Sequence, residues 1–107
     1  IVAAADSKSG TVNPDGLDID RLLQAKKDTG RIGTPDWTAF RIAAEVDYDV
    51  LVEVTPTNAE TGEPALSTIK IALSRGKHVV TSNKGPISLY YRELESLAEE
   101  NGVSLRF

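Results

Sequence analysis

Short apolar runs alternate along this chain with longer stretches whose apolar residues keep helical spacing. Val50-Leu51-Val52-Glu53-Val54 is nearly continuous in apolar residues, the pattern of a parallel strand covered on both faces. His78, Val79 and Val80 form a second β-branched run, long enough for a strand and too short for a helix. Residues 1–5 read as a buried strand ending at Asp6, and Val103 to Phe107 as a last strand. Between these runs lie three predicted helices. Asp18 caps one over 19–29, with Ile19, Leu22 and Leu23 on its apolar face and Gly30 as its stop. Ala65, Leu66, Ile69, Ala72 and Leu73 share one face of a second over about 64–75, closed by Gly76. Ile87, Tyr91, Leu94, Leu97 and Ala98 define a third over about 86–101, with Pro86 in its first turn and Asn101-Gly102 at its end.

Two segments have no such periodicity. Residues 7–16, with Asn13-Pro14 and Asp15-Gly16, carry loop signals. Residues 31–46 leave two readings open: a short helix capped by Asp36 and carrying Trp37, Phe40, Ile42 and Ala43, or a short extended piece. The sole Trp is expected in the core. Helix-length segments between short apolar strands imply crossover connections and a parallel sheet, hence an α/β fold.

Composition narrows the possible partners. The 107 residues suffice for one small domain. Twelve Lys and Arg against sixteen Asp and Glu, with no basic face, argue against nucleic acid or an anionic membrane. With no Cys and one His, disulfides, thiolate metal sites and multi-histidine metal sites are excluded. No apolar run approaches the roughly 20 residues of a membrane span, and no signal peptide is visible, so the expected compartment is the cytoplasm. There is no Met, and position 1 looks like the inside of a strand. The chain is therefore expected to be a piece of a longer one.

Candidate chemistry gathers beyond two strand ends, where ligands bind in open α/β sheets. Thr81, Ser82, Asn83 and Lys84 place hydroxyl, amide and ammonium groups after one strand; Thr55, Pro56, Thr57 and Asn58 follow the other. A lysine at such a mouth meets a phosphate, a carboxylate or a carbonyl oxygen gaining negative charge. Asp6 has two readings: an acceptor for adenosine ribose hydroxyls at the end of a dinucleotide-fold strand, or the opening of a turn with Ser7, Lys8, Ser9 and Gly10. Lys26 and Lys27 read as a solvated helix end. Glu53 is out of place in its strand, and the alternatives are a paired carboxylate or one at the strand's rim.

Taken together, Asp49 to Asn58, Gly62-Glu63-Pro64-Ala65, and Gly76-Lys77-His78-Val79-Val80-Thr81-Ser82-Asn83-Lys84-Gly85-Pro86 closely resemble the homoserine dehydrogenase family. Asp6-Ser7-Lys8 and Asp15-Gly16-Leu17 also resemble that family's segment after its second strand. The resemblance implies a Rossmann-type parallel sheet with helices on both faces, here lacking its first strand and glycine-rich phosphate turn. Residues 1–107 would be a partial NAD(P)-binding domain. The implied reaction of the parent is the NAD- or NADP-dependent interconversion of L-homoserine and L-aspartate 4-semialdehyde, in threonine and methionine biosynthesis. The fragment alone is expected to be inactive, and a homodimer is expected to form through a domain absent from it.

By matching position, the resemblance puts Thr55 and Pro56 near the nicotinamide half of the cofactor. Ser82 and Asn83 then line the nicotinamide side, and Lys84 lies at the reacting centre, in contact with both cofactor and substrate. Asp6 favours NAD because its charge repels the extra phosphate of NADP, and Lys8 offsets that repulsion. Two other readings compete. Oxidoreductases of the glucose-fructose oxidoreductase type share a Gly-Lys-His-Val strand but carry Glu-Lys-Pro where this chain has Asn83-Lys84-Gly85-Pro86. The other is a non-catalytic nucleotide-binding module. In the usual Rossmann order the missing first strand lies between the strands at 1–5 and 50–54, so the isolated piece is expected to be poorly stable or rearranged.

Overall fold

A computed structural model describes all 107 residues, Ile1–Phe107. They form two compact units, Ile1–Asp47 and Tyr48–Phe107.

The first unit opens with a hairpin. Strand β1 (Ala3–Ala5) pairs antiparallel with β2 (Gly10–Val12). This corrects two expectations: residues 1–5, with Ile1 exposed and the next four half-buried, contribute to an antiparallel hairpin rather than a buried strand, and residues 7–16 contain a strand rather than only loop. Asp6 makes the reversal. Its Oδ1 accepts from the backbone N–H groups of Lys8 and Ser9, each at 2.8 Å, and its own N–H donates to the Ser9 carbonyl at 2.9 Å. An aspartate bonded to the amides two and three residues on folds a chain back on itself. Helix α1 (Ile19–Thr29) has the predicted bounds; the Asp18 carboxylate accepts from Arg21 N–H, and Gly30 closes the helix in the left-handed region at φ 75°. Helix α2 (Ala39–Glu45) settles the unclear segment as helical, but Thr38 is its cap, not Asp36. Trp37 stands outside that helix, half-buried, with the Arg41 guanidinium 4.2 Å from its ring centroid.

The second unit is a parallel sheet with two helices. Strands β3 (Val50–Glu53), β4 (His78–Thr81) and β5 (Leu105–Arg106) pair in the order β3-β4-β5. Val50 stands opposite His78, and Glu53 opposite Thr81. Helix α3 (Ala65–Ser74) connects β3 to β4, and α4 (Lys84–Glu100) connects β4 to β5. All five residues assigned to the apolar face of α3 are buried. Leu66, Ile69, Ala72 and Leu73 meet Val79 of β4 and Ile87, Leu94 and Ala98 of α4 in one core, with Leu51 and Leu105 packed against it.

Strand alternation sends Val50, Val52 and Val80 to the opposite face, where Val52 remains 63% exposed. Within this unit the helices cover one face of the sheet, and the edge of β3 away from β4 has no partner. Helix α4 begins two residues before the predicted start, and its backbone departs from helical geometry at Tyr90 (φ −135°, ψ 25°). Two residues earlier the Ser88 hydroxyl donates to the Lys84 carbonyl at 2.7 Å. Side-chain competition of this kind bends helices.

Candidate functional site

Parallel pairing brings the carboxyl ends of β3 and β4 side by side, and the loops that leave them carry the polar clusters. Glu53 closes β3 and is 5% exposed. Its Oε1 accepts from the Thr55 N–H at 3.0 Å and from the Thr55 hydroxyl, and its Oε2 accepts from the Thr81 hydroxyl at 3.1 Å. The sequence left Glu53 either paired or at a rim; it is buried and fully engaged, as a buried carboxylate must be to offset its desolvation.

The same hydroxyls organise Asn83, which is 2% exposed. Thr81 Oγ1 accepts from the Asn83 N–H at 3.0 Å, and the Asn83 amide group donates at 3.4 Å to both Thr55 Oγ1 and the Pro56 carbonyl. Asn83 Oδ1 in turn accepts from the Gly85 N–H at 3.1 Å and so caps α4. Thr55, Pro56, Asn83 and the start of α4 are therefore one hydrogen-bonded assembly spanning two loops, with Glu53 and Thr81 beneath it. Ser82 belongs to the same turn; its N–H donates to the Glu53 carbonyl at 3.2 Å, and the residue is exposed.

Lys84 is the first residue of the 17-residue α4 and is exposed. An ammonium at a helix N-terminus opposes the helix dipole, at a cost of about 0.3–1 kcal/mol. Its Nζ lies 5.9 Å from the centroid of the Phe107 ring. The loop after β3 packs against the turn that carries it. A Cβ added at Gly85 would lie 2.6 Å from the Asn58 carbonyl oxygen, and one at Gly62 would lie 3.3 Å from Pro86 Cα.

Asp6 and Lys8 belong to the first unit. The Asp6 carboxylate is already engaged: besides the turn amides its Oδ1 accepts from Ser9 Oγ at 3.3 Å, and its Oδ2 accepts from Lys26 Nζ at 2.6 Å. The Lys26 ammonium, with the Lys8 and Ser9 amides, holds this carboxyl well below the usual carboxylate range. The cation that offsets Asp6 is thus Lys26 on α1, read from sequence as a solvated helix end. Lys8 supplies its backbone N–H.

Sequence reasoning identified the two polar clusters and Lys84 but missed Thr81 and Glu53 as their support. The signal for Glu53 was present: an acid inside an otherwise apolar strand. No helix is long and apolar enough to cross a membrane.

Comparison with known proteins agrees with this architecture. The profile of the family described as "Homoserine dehydrogenase, NAD binding domain" matches residues 20–107. The homoserine dehydrogenase of Methanocaldococcus jannaschii is 41% identical over 99% of this chain, which covers 33% of that protein. The NAD(+)-dependent homoserine dehydrogenase of Pseudomonas canavaninivorans is 40% identical over the whole chain and is covered to 32%. The solved structure of a hyperthermophilic archaeal homoserine dehydrogenase in complex with NADPH superposes with a TM-score of 0.82 at 29% identity, over 99% of this chain and 33% of that one. The chain thus spans about a third of the length of the curated relatives it matches.

Proposed function

The chain belongs to the homoserine dehydrogenase family, within its NAD-binding domain, and from that premise we propose that the full-length parent interconverts L-homoserine and L-aspartate 4-semialdehyde with NAD or NADP. The observation that carries the proposal is the place of Lys84: an exposed ammonium on the first turn of α4, at the carboxyl end of a parallel strand, on a turn held by buried hydrogen bonds.

The residues present suit a dinucleotide. Thr55, Pro56 and Ser82 offer exposed hydroxyl, ring and backbone surface beside the Asn83 cap. When bound, NAD(P) supplies the hydride acceptor or donor. This chain's own contribution is binding and charge. Thr55 and Pro56 line the cofactor near its nicotinamide half, Ser82 lines the nicotinamide side with the buried Asn83 holding that turn beneath it, and Lys84 faces the substrate oxygen. As the aldehyde is reduced that oxygen gains negative charge, and a fixed ammonium beside it lowers the barrier. In the same position Lys84 orients the substrate.

Asp6 accepts from the adenosine ribose, with Lys8 beside it. Because Lys26 offsets the Asp6 charge, the carboxylate is a weak obstacle to the extra phosphate of NADP. This agrees with the occurrence of an NAD(+)-dependent enzyme and an NADPH complex among the relatives. On this reading residues 1–107 are part of a Rossmann domain, the free edge of β3 receives a strand of the parent, and a further domain supplies substrate contacts and the homodimer interface. The pathway role in threonine and methionine biosynthesis and the cytoplasmic setting come with the same proposal.

The test is homoserine-dependent reduction of NAD and NADP by the parent, beside Lys84→Ala. Turnover is expected to fall about 100- to 1,000-fold, the range for losing one charge-stabilising group, with a modest change in cofactor affinity. An active Lys84→Ala enzyme rejects the role assigned here.

A further inference from the structure

Glu53 is the only acidic residue in the three parallel strands, and nothing in the proposed chemistry uses it. Its burial beneath two exposed loops is costly unless it is paired. Its partners are two hydroxyls and one amide, with no cation among them.

The direction of these bonds is informative. A carboxylate only accepts, whereas a hydroxyl donates one hydrogen and accepts through its lone pairs. With Glu53 accepting, the hydroxyls of Thr81 and Thr55 both point their hydrogens down at it. Their lone pairs are then free to accept from Asn83: its N–H on Thr81 and its amide group on Thr55. Asn83 is thereby oriented with its Oδ1 toward the Gly85 N–H, the bond that starts α4 one residue after Lys84 begins it. One buried acceptor sets the polarity of the whole relay.

We propose that Glu53 is a positioning residue for Lys84, acting through Thr81, Thr55 and Asn83 to hold the first turn of α4 in its working orientation. The proposal rests on the reading of Lys84 as the amine at the reacting centre. Glu53→Gln keeps the size and replaces one acceptor by a donating NH2. One threonine hydroxyl must then accept from that NH2 and turn its own hydrogen away from position 53, so the bond that fixes its orientation beneath Asn83 is lost.

The experiment uses the full-length parent. Glu53→Gln is expected to lower kcat about 100-fold, the effect of a misplacement of about 1 Å at a reacting group, and to raise the KM for NAD(P) by a much smaller factor. Thr81→Val, which removes the hydroxyl at nearly constant shape, is expected to act in the same direction. Thr81→Ser, which keeps the hydroxyl, is expected to retain activity. The double variant Glu53→Gln/Thr81→Val is expected to be no worse than the poorer single one, as for members of one network.

Wild-type turnover in Glu53→Gln overturns the proposal, as does an equal loss in Thr81→Ser and Thr81→Val, which would make the methyl rather than the hydroxyl the important group. If Glu53→Gln does not fold, the Thr81 pair decides alone. Full activity in Lys84→Ala is a separate result: it rejects the catalytic reading itself, whereas an inactive Lys84→Ala beside a fully active Glu53→Gln rejects only the positioning role.

Discussion

The carbonyl oxygen of Asn58 lies 2.6 Å from where a Cβ on Gly85 would stand, so the loop after β3 and the first turn of α4 are in backbone contact. Gly85→Ala must push these segments apart, and Thr57 Cγ2, 3.3 Å from the same point, closes one route of escape. The expected cost is about 1–3 kcal/mol of stability, as for other overpacked positions, with a loss of turnover in the parent because Lys84 rides on that turn. Thermal melts and kcat of the variant check both. An unchanged melting midpoint would show that the contact relaxes freely.

Asp6 and Lys26 make a pH-dependent contribution. The folded-state pKa of Asp6 is depressed, so its stabilising effect is present above the ordinary aspartate pKa of about 4 and is lost as the pH falls below that value. Asp6→Asn retains an acceptor for the turn amides but abolishes the ion pair. It is expected to be less stable than the native sequence at pH 7, by at most about 1 kcal/mol for an exposed pair, and the gap should narrow toward pH 3. Lys26→Ala should show a similar gap at pH 7. Denaturant midpoints at the two pH values measure it, and a gap independent of pH would contradict the assignment.

The core of the second unit should respond far more than the surface of α1. Leu73 is fully buried, in one cluster with Ile69, Val79 and Leu94. Leu73→Ala is expected to cost about 2–5 kcal/mol. Leu23→Ala, on the exposed side of α1, is expected to stay within about 0.5 kcal/mol. Equal losses at the two positions would mean that α1 is covered in the protein as assayed.

The 107-residue chain expressed alone is expected to melt with low cooperativity and to self-associate. One sheet face leaves Val50, Val52 and Val80 exposed, and the β3 edge offers unpaired backbone groups. Val52→Lys should reduce the association, as read by light scattering. A sharp two-state melt of a monomer would refute this expectation.

Much of the second unit was legible because burial and local preference agree there. The α3 face follows directly from Ala65, Leu66, Ile69, Ala72 and Leu73, and β4 from its β-branched run. Helix α1 was legible from its two ends, Asp18 and Gly30. The hairpin was not, because it depends on which amides the Asp6 side chain chooses, and an aspartate at a strand end is compatible with either a turn or a ligand. The start of α4 shifted from Pro86 to Lys84 because Asn83, held by Thr81 and Pro56 across two loops, supplies the cap. That support is tertiary and leaves no periodic trace. The same holds for Glu53: its oddity was visible in the sequence, but its partners lie on another strand and loop.

The strand order also sets a hierarchy of local opening. In the second unit β4 alone has a neighbouring strand on each side, and Val79 is fully enclosed. Opening it requires two ladders to part at once, whereas β3 or β5 frays by losing one. Amide protons of His78 to Thr81 should therefore be the last to exchange with deuterated solvent. The turn that carries Lys84 begins where that slowest strand stops, so a reactive side chain on the surface is rooted in the least labile backbone of its unit.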